Sequence, residues 1–292
     1  MEWVVQPIRR LADRTLDTGS ILGGLALPGT VGDRLEAAYA KHLYGAATLQ
    51  DFPDHPRFVI NATNVQSMAL WRFSKPYMAD YRVGMIKNPR VALAKAVAAS
   101  SAFPPVLSPV ELDVDPNDFE PMSGTDLQRE PFTSQVVLTD GGVYDNLGVE
   151  TVWKRCRTVY VSDGGGKSPE EPEPKRDWIR HAARILFIID NQVRSMRLRQ
   201  IIAAFIDKQD EHDGAYWGIR TPIADYELSD ALSCPLERTE ELAQVPTRLR
   251  RIEATLQERL INWGYAVCDA ALRRHDPTLA PPKGFPYPAA RV

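Results

Sequence analysis

The spacing of apolar residues changes period several times along the chain, and each change predicts a different element. Leu35, Ala38, Tyr39 and Leu43 recur at helical spacing and predict a helix over Val31 to Tyr44, within a largely helical first fifty residues. RFVINAT, Arg57 to Thr63, is a short apolar run ending in polar residues. MALWRF follows closely enough to be its neighbouring strand. Helix returns over Pro89 to Ser100, where Pro89 suits a first turn and the alanines permit close approach to a sheet. SAFPPVLSPV then holds three prolines in ten residues and reads as a stiff, extended connection.

Residues Asp113 to Pro131 are acidic and poor in large apolar groups, the composition of an exposed insertion. QVVLT, from Gln135 to Thr139, is a β-branched run that stops at Asp140, as a buried strand entering a loop does. A helix over Leu147 to Arg155 and a second buried strand, TVYVSD from Thr158, complete a predicted βαβ unit. Such a unit implies a parallel sheet with functional groups at the strands' carboxyl ends. Asp163 to Arg176 is a flexible loop by composition, rich in glycine, proline and charge.

Beyond that loop, Trp178, Ile179, Ala182, Ile185, Leu186, Ile189, Val193 and Met196 form one stripe of a long helix running toward Phe205. A last helix is expected over Thr247 to His275, with Leu249, Ile252, Leu256, Leu260, Trp263 and Val267 in line, before a proline-rich tail. No internal repeat is present.

Composition narrows what this framework can do. With 44% hydrophobic and 25% charged residues, the chain can bury a substantial core. A net charge of -3 gives no global attraction for nucleic acid, so no nucleic-acid partner is expected. Cys156, Cys234 and Cys268 are odd in number, far apart and outside any CxxC spacing, which argues against disulfides and zinc and for a reducing, cytoplasmic compartment. The N-terminal MEWVVQPIRRLADRT lacks the apolar core of a signal peptide, and no run approaches the ~20 apolar residues of a membrane span. Contact with lipid would therefore be peripheral. Lys175 to Arg199 holds seven basic residues against two acidic, a local charge of +5 that suits an anionic membrane surface or a solvated helix face.

Candidate chemistry concentrates at Asp140. An aspartate at a strand end followed by Gly141 and Gly142 can project its carboxylate into a cleft where partners approach closely. The plainer role for such an aspartate is to cap the turn that follows. Asn61 and Asn146 can tie the nearby loops through their amides, and Asp145 reads as a loop residue facing solvent. The histidines are scattered without metal-ligand spacing, and GGGK lacks the spacing of a phosphate loop, so no metal or other cofactor is expected.

NAT at Asn61, AASSAFPP at Ala98 to Pro105 and TDGGVYDN at Thr139 to Asn146, in that order, resemble the patatin-like phospholipase family over about residues 57 to 165. The resemblance implies a three-layer α/β fold with a mostly parallel central sheet and a Ser/Asp dyad acting on lipid esters. Asp140 matches the aspartate of the family's DG[GA] motif and becomes the expected catalytic base, with Gly141, Gly142, Asn61 and Asn146 shaping the substrate site. The family's GxSxG serine and its glycine-rich oxyanion loop match nothing in the 292 residues. The resemblance thus predicts a C-terminal part of the domain, over residues 1–165, without its N-terminal strands and inactive as it stands. A loop over 166–176 and helices over 177–292 packed on that part complete the expected organisation. Ser20, in TGSILGG, has the wrong spacing for a substitute nucleophile, and Ser100 and Ser101 are better placed to satisfy backbone groups at a helix end. The alternative is a non-catalytic remnant that binds lipid or a membrane surface.

Overall fold

The computed structural model describes residues 4–16, 30–104, 107–166, 170–207, 210–247 and 249–292. Ser20, Pro105 and Lys167 lie outside them. The chain folds as two compact units, one of residues 1–11 and 16–148, the other of residues 12–15 and 149–292. Near the N-terminus runs α1 (Val5–Ala12).

The first unit is built on a six-stranded sheet. Helix α2 (Val31–Tyr39) starts on a capping box in which the Thr30 hydroxyl accepts from Asp33 N–H and Asp33 accepts from Thr30 N–H. It continues as one π-helical turn over Ala40–Tyr44. Strands β1 (Val59–Asn64), β2 (Ala69–Ser74), β3 (Tyr77–Asp80) and β4 (Gly84–Lys87) then form an antiparallel meander. Helix α3 (Leu93–Ser100) packs on the sheet, and β5 (Val110–Asp113) and β6 (Gln135–Asp140) complete the order β4-β3-β2-β1-β6-β5. Trp71, Phe73, Val83, Val136 and Leu138 are fully buried in one core with Ala96 and Ala99 of α3. Alanine brings the helix axis close to the strands.

Every pairing in this sheet is antiparallel, which corrects the mostly parallel sheet expected from the sequence. The connections β1–β2, β2–β3 and β3–β4 are tight turns, too short for the crossover that parallel neighbours need. After β6 come only α4 (Gly142–Asp145) and α5 (Glu150–Trp153), separated by Gly148 at φ 66°, so no single helix over Leu147 to Arg155 exists to carry the chain back along the sheet. The βαβ unit forms one step later. Strand β7 (Thr158–Asp163) leads into α6 (Trp178–Ile206) and pairs in parallel with β8 (Asp213–Gly218) in a separate two-stranded sheet.

Two further expectations change at element ends. Pro89 lies outside α3, because the Pro89 and Val91 carbonyls accept bonds from the Gln50 side chain and Leu49 N–H, which holds this stretch extended until Leu93. The segment from Asp113 to Pro131 is not simply exposed. Phe119 and Leu127 are buried in the core, and Glu120 N–H bonds to the Met85 carbonyl, so the excursion closes over β4.

In the second unit, α7 (Leu236–Ala243) packs on α8 (Ala254–His275), which packs on β8, with Trp263, Ala266, Val267 and Ala270 of α8 buried in one cluster with Ala215 and Leu242. Helix α8 begins after Leu249 and Ile252 rather than at Thr247. Asn262, fully buried, fixes the tail by bonding the Tyr287 and Arg291 carbonyls and Tyr287 N–H. Helix α6 has its predicted length, but none of its residues from Trp178 to Val193 is buried. Arg184, Arg194 and Arg197 face its own unit, paired with Glu171, Asp163 and Glu150, while the apolar stripe is exposed.

His212 gives this unit a pH dependence. Its two ring nitrogens face acceptors, the Trp153 carbonyl at 2.8 Å and an Asp210 carboxylate oxygen at 2.9 Å, and the ring stacks on Trp153 with centroids 4.1 Å apart. Only the imidazolium donates to both acceptors. Its pKa is raised, first by the Trp153 carbonyl and then by Asp210. A raised folded-state value means that the stabilisation is fully present below the unfolded value of ~6.5 and is lost as pH rises through the folded value. The expected result is that the melting temperature of the wild type falls relative to His212→Gln as pH rises from ~6 to ~8. Parallel melting curves would remove this role.

Candidate active site

Asp140 ends β6, the strand held between β1 and β5. Its backbone is fixed from two sides. Asp140 N–H donates to the Ala102 carbonyl at 3.1 Å, and the Thr63 hydroxyl donates to the Asp140 carbonyl at 2.8 Å. Thr139 repeats the tie, its hydroxyl donating to the Ala102 carbonyl at 2.9 Å, and Gly141 N–H reaches the Ser100 carbonyl. The end of α3 and the end of β6 are thereby one hydrogen-bonded corner.

The carboxylate sits half-buried at this corner, with Oδ1 accepting from Gly142 N–H at 2.7 Å. This is the turn-capping role that aspartate plays before a tight turn, and it also fixes the orientation of the acid. A side chain at Gly141 would place its Cβ 2.4 Å from the Asn61 carbonyl oxygen, so the loop can leave β6 here only on glycine. A Cβ at Gly142 would lie 2.9 Å from Asp140 Oδ1 and 3.6 Å from Asn146 Oδ1, and one at Gly148 would lie 3.9 Å from Asn61 Nδ2. Asn61, Asp140, Gly141, Gly142 and Asn146 thus come together, with residues 141–148 wrapping around Asn61. Asp145 differs from its sequence expectation. It is only 3% exposed, because α4 turns its side chain inward rather than toward solvent.

Two neighbours of this corner escaped the sequence reading. Tyr39, counted there only among the apolar positions of α2, is buried with its hydroxyl 3.2 Å from Ser101 Oγ. Burial chiefly raises the pKa of this phenol. The bond to Ser101 lowers it and the Asp140 charge raises it further, which puts phenol and carboxylate within electrostatic reach. Ser101 Oγ donates to the Val97 carbonyl at 2.8 Å, which commits the serine proton to the helix and leaves Tyr39 as donor in the pair. Ser101 is therefore a helix-end serine with a satisfied hydroxyl.

The second neighbour is a buried network at the β1–β2 and β3–β4 turns. Asp80 is fully buried and accepts from Asn64 Nδ2 at 3.0 Å, from the Ser67 hydroxyl and from Arg82 N–H at 2.7 Å. It orders the turn after β1, the strand that supplies Asn61. The signal available in the sequence was a set of turn-forming residues at strand ends, which do not reveal that the two turns meet.

Among the described residues, no group of three or more His, Cys, Asp or Glu side chains is arranged to hold a metal. No helix of the described residues is long and apolar enough to cross a membrane. The family model for patatin-like phospholipase matches residues 6–153, just over half of the chain. The chain belongs to the patatin-like phospholipase family. No curated protein matches it. In this patatin-like chain the family match takes in both the α2 and α3 helices and the Asp140 corner, and it ends at Trp153, the last residue of α5. The lipid acyl hydrolase family is thus the setting in which the Asp140 geometry has to be understood.

Proposed function

We propose that this patatin-like chain carries the base half of a Ser/Asp dyad that hydrolyses lipid esters. Asp140 takes the proton from a serine hydroxyl as its oxygen attacks the ester carbonyl, and returns that proton to the departing alcohol. Water then repeats the cycle on the acyl-serine. Gly141 and Gly142 keep side chains away from the reacting atoms, and Asn61 and Asn146 hold the loop that frames them.

The observation that carries this reading is the fixed carboxylate. Asp140 is locked at a strand end through its own N–H and carbonyl, and its Oδ1 is oriented by Gly142 N–H. A base that acts in one direction needs that preorganisation. The 292 residues contain no GxSxG serine, so the proposal includes no turnover by the chain alone.

A fluorophosphonate probe with mass-spectrometric mapping tests both parts. The expected result on the chain alone is no labelled serine. Labelling that disappears in Asp140→Ala would place a nucleophile within these residues and overturn the half-dyad. The expected source of the nucleophile is a glycine-rich and GxSxG coding sequence upstream; unrelated sequence there would count against the dyad. The alternative of a lipid-surface remnant draws less support, because Arg194 and Arg197, two of the cations meant to meet the lipid, are tied to Asp163 and Glu150.

A further inference from the structure

Strand β7 has one paired edge and one open edge. The bonds from Asp213 N–H to the Arg157 carbonyl and from Ile219 N–H to the Asp163 carbonyl fix the phase of the β7–β8 ladder. Arg157, Val159, Val161 and Asp163 therefore turn their main-chain groups toward β8, and Thr158, Tyr160 and Ser162 turn theirs away from it. At the outer edge of β8, side chains take the place of a further strand. The Tyr226 hydroxyl donates to the Tyr216 carbonyl, and Gly218 N–H donates to the Thr221 hydroxyl. Nothing comparable closes β7. Among the described residues, the outward N–H and C=O groups of Thr158, Tyr160 and Ser162 have no hydrogen-bond partner, and all three residues are exposed, Tyr160 to 51%.

Proteins blunt an open edge with charge, proline or a bulge. The outward positions of β7 carry none of these, and the pairing with β8 is regular throughout. The strand is instead rich in the β-branched and aromatic residues that suit a ladder. Its order is also alike when read in either direction. Around Tyr160 stand Val159 and Val161, then the hydroxyl residues Thr158 and Ser162, and then Arg157 and Asp163, which carry opposite charges.

We infer that the open edge of β7 pairs with β7 of a second copy of this chain, antiparallel, about a two-fold axis at Tyr160. Tyr160 then exchanges both main-chain bonds with Tyr160 of the second copy, and Thr158 does the same with Ser162. On the exposed face the two tyrosine rings are neighbours and each threonine hydroxyl meets a serine hydroxyl. On the buried face Val159 lies opposite Val161. Aromatic, hydroxyl and β-branched pairs of this kind are those that stabilise antiparallel strands. At both ends Arg157 falls opposite Asp163. A second copy is the occupant that this order selects, because the two-fold axis matches every position, whereas a strand of another sequence or a parallel strand gains nothing from the palindrome. The resulting sheet runs β8-β7-β7-β8, with only β8 at its edges, so the assembly closes at two copies.

Sedimentation equilibrium and amide hydrogen exchange of the 292-residue chain test the pairing. The expected result is a dimer in which the Thr158, Tyr160 and Ser162 amides gain protection as the protein concentration rises. Thr158→Lys with Ser162→Lys sets lysine opposite lysine and should weaken the dimer about tenfold or more. Thr158→Lys with Ser162→Glu sets lysine opposite glutamate and should retain it. Both variants change only exposed side chains, so their circular dichroism should match the wild type. A dimer lost equally in the two variants, or indifferent to the paired lysines, would overturn the register. A chain that stays monomeric at all concentrations, or a dimer in which those three amides exchange freely, would overturn the pairing itself.

Discussion

Replacing Arg194 by methionine is expected to destabilise the second unit by about 3–5 kcal/mol, because it leaves a buried carboxylate without its cation. Asp163 is 6% exposed at the end of β7. Arg194 grips both of its oxygens and also bonds the Gly165 and Gly166 carbonyls, at 2.6 and 3.1 Å, so one guanidinium closes the loop after β7. The Tyr216 hydroxyl and Gly165 N–H donate to the same carboxylate, and burial together with that negative charge pushes the Tyr216 phenol far above its usual range. Methionine retains the apolar stem and removes the charge and all four bonds. Asp163→Asn should cost less, since the amide still accepts from Tyr216, and Asp163→Leu added to Arg194→Met should recover part of the loss. Urea unfolding of the four proteins measures this; a loss below about 1 kcal/mol for Arg194→Met would show that the pair is an ordinary surface contact.

The second large effect is expected at Gly141, and its contrast with Gly142 is as informative as its size. Neither position needs a left-handed backbone, so conformational strain does not separate them. Contact does. A methyl group at Gly141 meets the Asn61 backbone carbonyl at 2.4 Å, and that carbonyl belongs to β1, the strand paired with β6. Relief requires the sheet itself to shift, and Gly141→Ala should cost about 3 kcal/mol, the upper end for an overpacked site. A methyl at Gly142 is crowded by the side-chain oxygen of Asp140 at 2.9 Å, which a small rotation relieves, and meets Asn146 at ordinary contact distance, so Gly142→Ala should cost less than about 1 kcal/mol. The same asymmetry accounts for a motif that fixes glycine after the aspartate and admits glycine or alanine next. Thermal unfolding of both variants decides it, and equal losses would mean that the corner is looser than these distances require.

What the sequence made legible follows from how local each signal is. The strands β1, β2, β6 and β7 and the span of α6 were readable because side-chain period and β-branching act within a few residues. Their partners were not. Gln135 to Asp140 is as apolar as a strand of a parallel sheet, and only the break at Gly148 and the tight turns among β1 to β4 reveal that its neighbours run the other way. The ion pairs of α6 were hidden for a similar reason. Its arginines find Glu171, Asp163 and Glu150 in loops and helices that no spacing rule connects to it. At the candidate site, TDGG pointed to Asp140 and its glycines through a motif, but Tyr39 arrives from 101 residues upstream and carries no mark beyond its place in an apolar stripe.

The order of strands in the first sheet also sets an order of assembly. The β1 to β4 meander closes through short turns and can form early, whereas β6 reaches β1 across a long excursion, with Thr63 and Asp140 separated by 77 positions. Until β6 inserts, one edge of β1 stands unpaired and apolar, open to the wrong strand or to another chain. The candidate carboxylate reaches its corner only when that edge is sealed. A nascent chain caught between the two steps is therefore at its most aggregation-prone while it has no acid to offer a substrate.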